Sequence, residues 1–190
     1  MSNTMSNTRA MQDELFQIIK RLSFKTGDFI LASGQRSSYY VDCRLSTLDG
    51  RGAYLIGQLL YDRLVNLHPD AVGGMTLGAD PIVSSILYRS AEVGKPMAGF
   101  IVRKEAKGHG AGNQIEGNMA PWMRVVLVED VVTTGGSTLK AIEAIRKAHP
   151  SVEIVGVLAI IDRNAGGAEA FSRLGIPFQA IYNVQAFLAE

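Results

Sequence analysis

Two runs constrain the fold more than anything else in the chain. Val125-Val126-Leu127-Val128 and Ile154-Val155-Gly156-Val157-Leu158-Ala159-Ile160-Ile161 are apolar almost without interruption. A strand with one wet face alternates polar and apolar residues, so unbroken aliphatic runs read as strands covered on both faces, the habit of parallel sheets in α/β domains. Similar segments lie near Ala71 to Met75, Met97 to Val102 and Phe178 to Tyr182, with helical spacing between several of them. The expected architecture is α/β: three layers, with a central mainly parallel sheet flanked by helices.

The N-terminal part has another character. Met11, Leu15, Ile18, Ile19 and Leu22 share one helical face, which predicts a helix over Met11 to Leu22. A second helix is predicted from about Asp49 to Asn66, where Ala53, Ile56, Leu60 and Leu64 form the apolar stripe. Between them, Phe29 to Arg44 is polar and reads as a short hairpin or irregular strand pair. Such a segment suits a small cap over the carboxyl ends of the parallel strands, where open sheets bind ligands. The predicted division is a flexible tail over residues 1–10, where Met-Ser-Asn-Thr occurs twice, a helix and cap over 11–48, and a core over 49–190 whose last residues can add to the cap.

Composition excludes several classes. A chain of 190 residues with 47% hydrophobic content can bury a substantial core, so general disorder is out. The 19 basic and 18 acidic residues leave a net charge of +1, which supplies no global field for nucleic acid or an anionic membrane. An anionic ligand must therefore be held locally. Cys43 is the only cysteine, so no intrachain disulfide or cysteine-rich metal cluster can form, in keeping with a reducing, cytoplasmic setting. Leu174 to Ala189 is uncharged but shorter than a membrane span and interrupted by Pro177, Gln179, Asn183 and Gln185. No secretory signal is expected, because no long apolar stretch follows the opening repeat.

The chemistry concentrates where strands end. Val125 to Val128 runs into Glu129-Asp130-Val131-Val132-Thr133-Thr134-Gly135-Gly136-Ser137-Thr138, and Leu139, Ile142 and Ile145 follow at helical spacing. The pattern is strand, acidic end, hydroxyl- and glycine-rich turn, helix. Amides at a helix start have no partner within the helix, so Thr134 to Thr138 can wrap a phosphate without a lysine. An ordinary helix cap is the plain alternative. Glu129 and Asp130 are placed to accept hydrogen bonds from sugar hydroxyls or to help hold a hydrated cation. Two better-known phosphate motifs fail. Gly94-Lys95 is followed by Pro96, and Asn113 stands where a dinucleotide motif starting at Gly108 and Gly110 needs glycine.

Three further groups stand out. Arg103, Lys104, Lys107 and His109 fall within a long connection hinged by Gly108, Gly110 and Gly112, either a cationic lid over an anion or a solvated loop. Thr76-Leu77-Gly78-Ala79-Asp80-Pro81 lies between a strand and a helix and can present amides to a second anionic group, or be a simple turn. Asp162-Arg163 ends the apolar strand Ile154 to Ile161, where the arginine can meet a planar carboxylate or form a surface ion pair.

In order and combination, these residues resemble the phosphoribosyl diphosphate signature of type I phosphoribosyltransferases. The Glu129-Asp130 and Thr133 to Ser137 form, the Arg103 to Gly110 segment, and Phe29 to Gly34 with Ser37 to Asp42 are similar to the orotate-using branch. The resemblance implies the type I fold with its N-terminal cap, or hood. It further implies Mg²⁺-dependent transfer of 5-phosphoribosyl from 5-phosphoribosyl 1-diphosphate to N1 of orotate, with orotidine 5′-monophosphate and pyrophosphate as products, in pyrimidine biosynthesis. By the same resemblance, Glu129 to Thr138 bind the phosphoribose, and Thr76 to Asp80 with Arg103 and Lys104 bind the diphosphate. Tyr39, Tyr40, Thr133 and Arg163 meet orotate, while Lys107, His109 and Asp130 serve catalysis. Mg²⁺ is held mainly by substrate oxygens, without a protein cage. Family members are homodimers with lid residues shared across subunits. Ala79-Asp80 matches a position where this family often has a non-proline cis peptide. Ala32 departs from the pattern, standing where some members have a lysine; Arg36 is the nearby cation. A purine phosphoribosyltransferase and an inactive nucleotide-sensing regulator are the rival readings. The first lacks a use for Arg163, and the second has no need of an intact lid.

Overall fold

The computed structural model describes residues 2–30, 36–105 and 113–189, with side chains from residue 6. Ala32, Lys107 and His109, singled out above, lie outside the described residues. The N-terminal helix α1 spans Ser2–Leu22, so it takes in much of the segment read as a tail. Periodicity put its start at Met11 because only from there does an apolar stripe exist, with Leu15, Ile18 and Ile19 buried. Strands β1 (Phe24–Ile30) and β2 (Arg36–Val41) form the expected antiparallel hairpin. A single turn, α2 (Arg44–Thr47), leads to α3 (Gly50–Leu64). Asp49 starts α3 by accepting the Arg51 and Gly52 N–H groups at 3.1 and 2.8 Å, an acidic N-cap.

Thereafter strands and helices alternate: β3 (Ala71–Met75), α4 (Ala79–Glu92), β4 (Ala98–Val102), β5 (Ile115–Gly117), β6 (Arg124–Val132), α5 (Gly136–Ala148), β7 (Glu153–Asp162), α6 (Gly167–Ser172), β8 (Phe178–Asn183) and α7 (Gln185–Leu188). They form a six-stranded sheet in the order β5-β4-β3-β6-β7-β8. Every pair is parallel except β4 with β5. The short β5 sits inside the connection expected to be without structure. Three residues are too few to show a period, and their pairing comes from the neighbouring β4, outside which β5 forms the sheet edge.

Both faces of the sheet are buried, as the apolar runs required. Val126, Val128, Leu158 and Ile160 pack with α1, α3 and α4 on one side. Val125, Leu127, Val157 and Ala159 pack with α5 and α6 on the other. The alternation within each run therefore divides two cores rather than core from water. At about 25 cal/mol per Å² of apolar area removed from water, these layers supply the main favourable term in folding. Among the described residues, no helix is long and apolar enough to cross a membrane.

Candidate active site

The carboxyl ends of β3, β4, β6 and β7 converge on one edge of the sheet, and each delivers one of the segments picked out from sequence. After β6, Val131 to Thr138 and Glu129 line a concavity of about 190 Å³. Gly135 has φ +78°, a left-handed turn that favours glycine, and a side chain there would start 2.9 Å from the Phe171 ring. The turn is pinned from outside by the Gly167 N–H, which donates to the Thr133 carbonyl at 3.1 Å. Helix α5 starts from this glycine without a capping side chain. The first amides of α5 thus face the concavity, the arrangement that binds a phosphate dianion.

A second cleft of about 300 Å³ adjoins the first, sharing Glu129, Val131 and Ser137 with it. Its wall is formed by Thr76, Leu77 and Gly78 after β3, Lys104 after β4, Asp130, and Tyr40, Val41, Asp42 and Arg44 from the hood. The loop after β3 lies directly against the acidic pair: a first side-chain carbon on Gly78 would meet Asp130 Oδ1 at 2.9 Å and Glu129 Oε1 at 3.1 Å. Thr76 Oγ1 donates to Asp80 Oδ2 at 2.8 Å, which ties the loop to the first turn of α4. The non-proline cis peptide in this loop joins Thr76 and Leu77. The expectation of one at Ala79-Asp80 is thereby corrected: those residues already belong to α4, whose repeating geometry requires trans bonds.

The two acids differ in environment. Glu129 is buried; its Oε1 accepts the Asp130 N–H at 3.3 Å and its Oε2 accepts the Thr138 hydroxyl at 3.3 Å. Burial first, and then the adjacent Asp130 charge, push the Glu129 carboxyl up to about 8. Asp130 is half-buried, lines the cleft and accepts the Val131 N–H at 2.8 Å. The buried Glu129 therefore holds its proton more tightly than a free glutamate does. Among the described residues, no group of three or more His, Cys, Asp or Glu side chains converges as a metal cage would require. Asp130 with its neighbour nevertheless suits a hard cation that takes one or two carboxylates and completes its shell from ligand oxygens. Cys43 offers no nucleophile, since it is fully buried and burial pushes its thiol up.

The cations divide between two tasks. Arg103 Nε donates to Glu116 Oε1 at 3.1 Å, and its backbone exchanges hydrogen bonds with Gln114, which closes the base of the segment beyond it. Lys104 faces the cleft instead. Arg36, the cation near the missing lysine, pairs with Asp28 at 3.1 Å on the exposed hairpin. The cleft receives Arg44, a residue that sequence reasoning passed over. Asp42 grips it through two bonds, Nε to Oδ1 at 2.8 Å and Nη2 to Oδ2 at 2.7 Å. An arginine two positions after an acid, just beyond the Ser37 to Asp42 run, was the available signal.

Strand alternation separates Tyr39 from Tyr40. Tyr40 lines the cleft. Tyr39 turns the other way, where its hydroxyl accepts Arg163 Nε at 3.0 Å and its ring lies 4.7 Å from the guanidinium carbon. Arg163 is therefore no surface partner of Asp162, whose carboxylate accepts the Asn164 N–H at 2.9 Å.

Residues 51–172 match the family described as "Phosphoribosyl transferase domain". The chain is 44% identical to the orotate phosphoribosyltransferase of Rhodopirellula baltica, an alignment that covers 98% of this chain and 100% of that one. It is also 44% identical to the Aquifex aeolicus orotate phosphoribosyltransferase, over 93% of this chain and 97% of that one. Its fold is similar to the crystal structure of Mycobacterium tuberculosis orotate phosphoribosyltransferase in complex with 5-phospho-α-D-ribosyl 1-diphosphate, with a TM-score of 0.79, 35% identity and coverage of 93% and 98%.

Proposed function

The chain belongs to the phosphoribosyltransferase family, within its orotate-using branch, and we propose from that footing how its own residues divide the reaction. The protein is an enzyme that transfers 5-phosphoribosyl from 5-phosphoribosyl 1-diphosphate to N1 of orotate, releasing pyrophosphate and forming orotidine 5′-monophosphate, a step of pyrimidine biosynthesis. The bond between ribose C1 and the diphosphate oxygen breaks, a bond from orotate N1 to that carbon forms, and the N1 proton leaves to the released pyrophosphate or to water. No covalent enzyme intermediate is needed, so the protein's work is positioning and charge stabilisation.

The observation that carries the assignment of roles is the adjacency of the two cavities across the acidic pair. Val131 to Thr138 hold the 5′-phosphate on amide and hydroxyl donors, although the Thr138 hydroxyl is itself engaged by Glu129. Asp130, with Glu129 behind it, accepts the ribose hydroxyls. Thr76 to Asp80, Lys104, Arg103 and Arg44 surround the diphosphate, with Lys107 and His109 completing the donors to the leaving oxygen. Arg163 takes the orotate carboxylate and Thr133 lies at the ribose–base junction. The cation is Mg²⁺, which neutralises diphosphate charge when bound; Asp130 is the carboxylate best placed to contact it. The protein works as a homodimer in the cytoplasm, with the Arg103 to His109 segment shared between subunits. Exposed Tyr54 and Tyr88, on α3 and α4, support an apolar mating face.

Side-by-side assays with orotate, adenine, hypoxanthine and uracil, each with the same donor and Mg²⁺, test the reading. Turnover with orotate alone is expected. Turnover with a purine would overturn the base assignment, and donor binding without product would point to a sensor instead.

A further inference from the structure

Arg163 is anchored from the hood rather than by the strand that carries it. It follows β7, yet its Nε donates to the Tyr39 hydroxyl of β2 at 3.0 Å, and Tyr39 presents its ring to the guanidinium. Tyr39 in turn stacks on Phe24 of β1, with ring centres 5.6 Å apart and planes at 14°. Phe24 stacks on Phe187 of α7 at 5.4 Å and 22°, and Phe187 stacks on Phe16 of α1 at 4.4 Å and 17°. Tyr182 closes the column edge-on to Phe187 at 5.5 Å, and its hydroxyl donates to the Gln12 carbonyl at 2.5 Å. Phe24 and Phe187 are buried.

An arginine side chain is long and has several rotatable bonds, so a free guanidinium must be ordered when a carboxylate arrives. Occupying Nε with Tyr39 fixes the plane of the fork and leaves the two terminal nitrogens to meet a carboxylate in parallel. We propose that Tyr39 is a positioning residue for Arg163, and that the column Tyr39–Phe24–Phe187 sets selectivity for a base bearing a carboxylate. The Tyr39 hydroxyl acts through the arginine. The proposal rests on the assignment of the orotate carboxylate to Arg163 made above.

Tyr39→Phe isolates the point, because it keeps both stacks and removes only the hydroxyl. A neutral hydrogen bond is worth about 3- to 10-fold in binding. The expected result is a rise in KM for orotate of about that size, with kcat and the KM for the donor each within about twofold of wild type. Uracil has the ring without the carboxylate, and its Ki as a competitor of orotate should not move. Phe187→Leu, two rings away, should shift the orotate KM in the same direction by a smaller factor, again sparing uracil. Equal weakening of orotate and uracil, or an unchanged orotate KM in Tyr39→Phe, would overturn the proposal. If Phe187→Leu fails to fold, Tyr39→Phe decides alone. Orotate binding measured directly by calorimetry judges the positioning separately, so absence of wild-type turnover would count against the reaction and not against the anchor.

Discussion

Replacing Glu129 by glutamine should change how the stability of the unliganded protein depends on pH. The carboxyl rises from its ordinary value of 4.5 to about 8 in the folded chain, chiefly through burial and secondly through the Asp130 charge. Between these two values the folded state binds more protons than the unfolded one, so stability falls as pH rises through this window and levels off above about 8. Taken at face value, that gap amounts to about 5 kcal/mol at roughly 1.4 kcal/mol per tenfold change in proton affinity. Water reaching the open cleft screens the charge and brings the expected loss to about 2–3 kcal/mol. Glutamine keeps the shape, accepts from the Thr138 hydroxyl, and can donate to the Asp130 carboxylate, but does not titrate. Urea unfolding of both proteins at pH 5.5, 7 and 8.5 samples most of that window and would therefore show Glu129→Gln gaining on wild type by about 1–2 kcal/mol across the series. Parallel stability profiles would refute the reasoning, since they would mean that Glu129 is ionised throughout.

Three further outcomes follow from the site. Lys107→Ala should lower kcat by on the order of 100-fold with an unchanged melting temperature, because it removes a donor that acts on charge developing at the leaving oxygen; unchanged single-turnover rates would exclude that role. Asp130→Asn should weaken donor binding more than orotate binding, read from the two dissociation constants. Arg44→Gln should raise the KM for the donor by about tenfold while sparing orotate, as expected for a charge-assisted contact; an equal effect on both substrates would argue that the Asp42–Arg44 pair only shapes the hood.

The parallel sheet was legible because its strands are buried on both faces, which writes them as unbroken aliphatic runs. The turn from Thr133 to Ser137 was legible as a strand-to-helix turn because an acidic strand end, a positive-φ glycine and a helix start are consecutive there. What depended on pairing was not. Strand β5 is three residues long and owes its conformation to β4. The location of the cis bond depends on where α4 begins, and Ala79 and Asp80 carry no sign that the helix already includes them. Tyr39 and Tyr40 look equivalent as neighbours and are sent to opposite sides by the pleat. The Asp42–Arg44 spacing is present in the sequence, but that the pair lines the cleft follows only once the hood folds against β3 and β6. The column behind Arg163 joins residues from α1, β1, β2 and α7, and no local pattern announces such a stack.

The four strand ends that meet at the site have a thermodynamic consequence. Met75, Val102, Val132 and Asp162 close β3, β4, β6 and β7, and their following loops are distant in sequence and tied by contacts such as the hydrogen bond from the Gly167 N–H to the Thr133 carbonyl. A donor spanning both cavities would act as a removable cross-link between distant parts of the sequence. At a concentration one hundred times its Kd it would add about 2.7 kcal/mol to the folded state. That gain would appear as slower amide exchange along this one edge of the sheet, while the opposite edge, where the strands begin, would respond only through global unfolding. The substrate would thus be, while bound, part of what holds its own site closed.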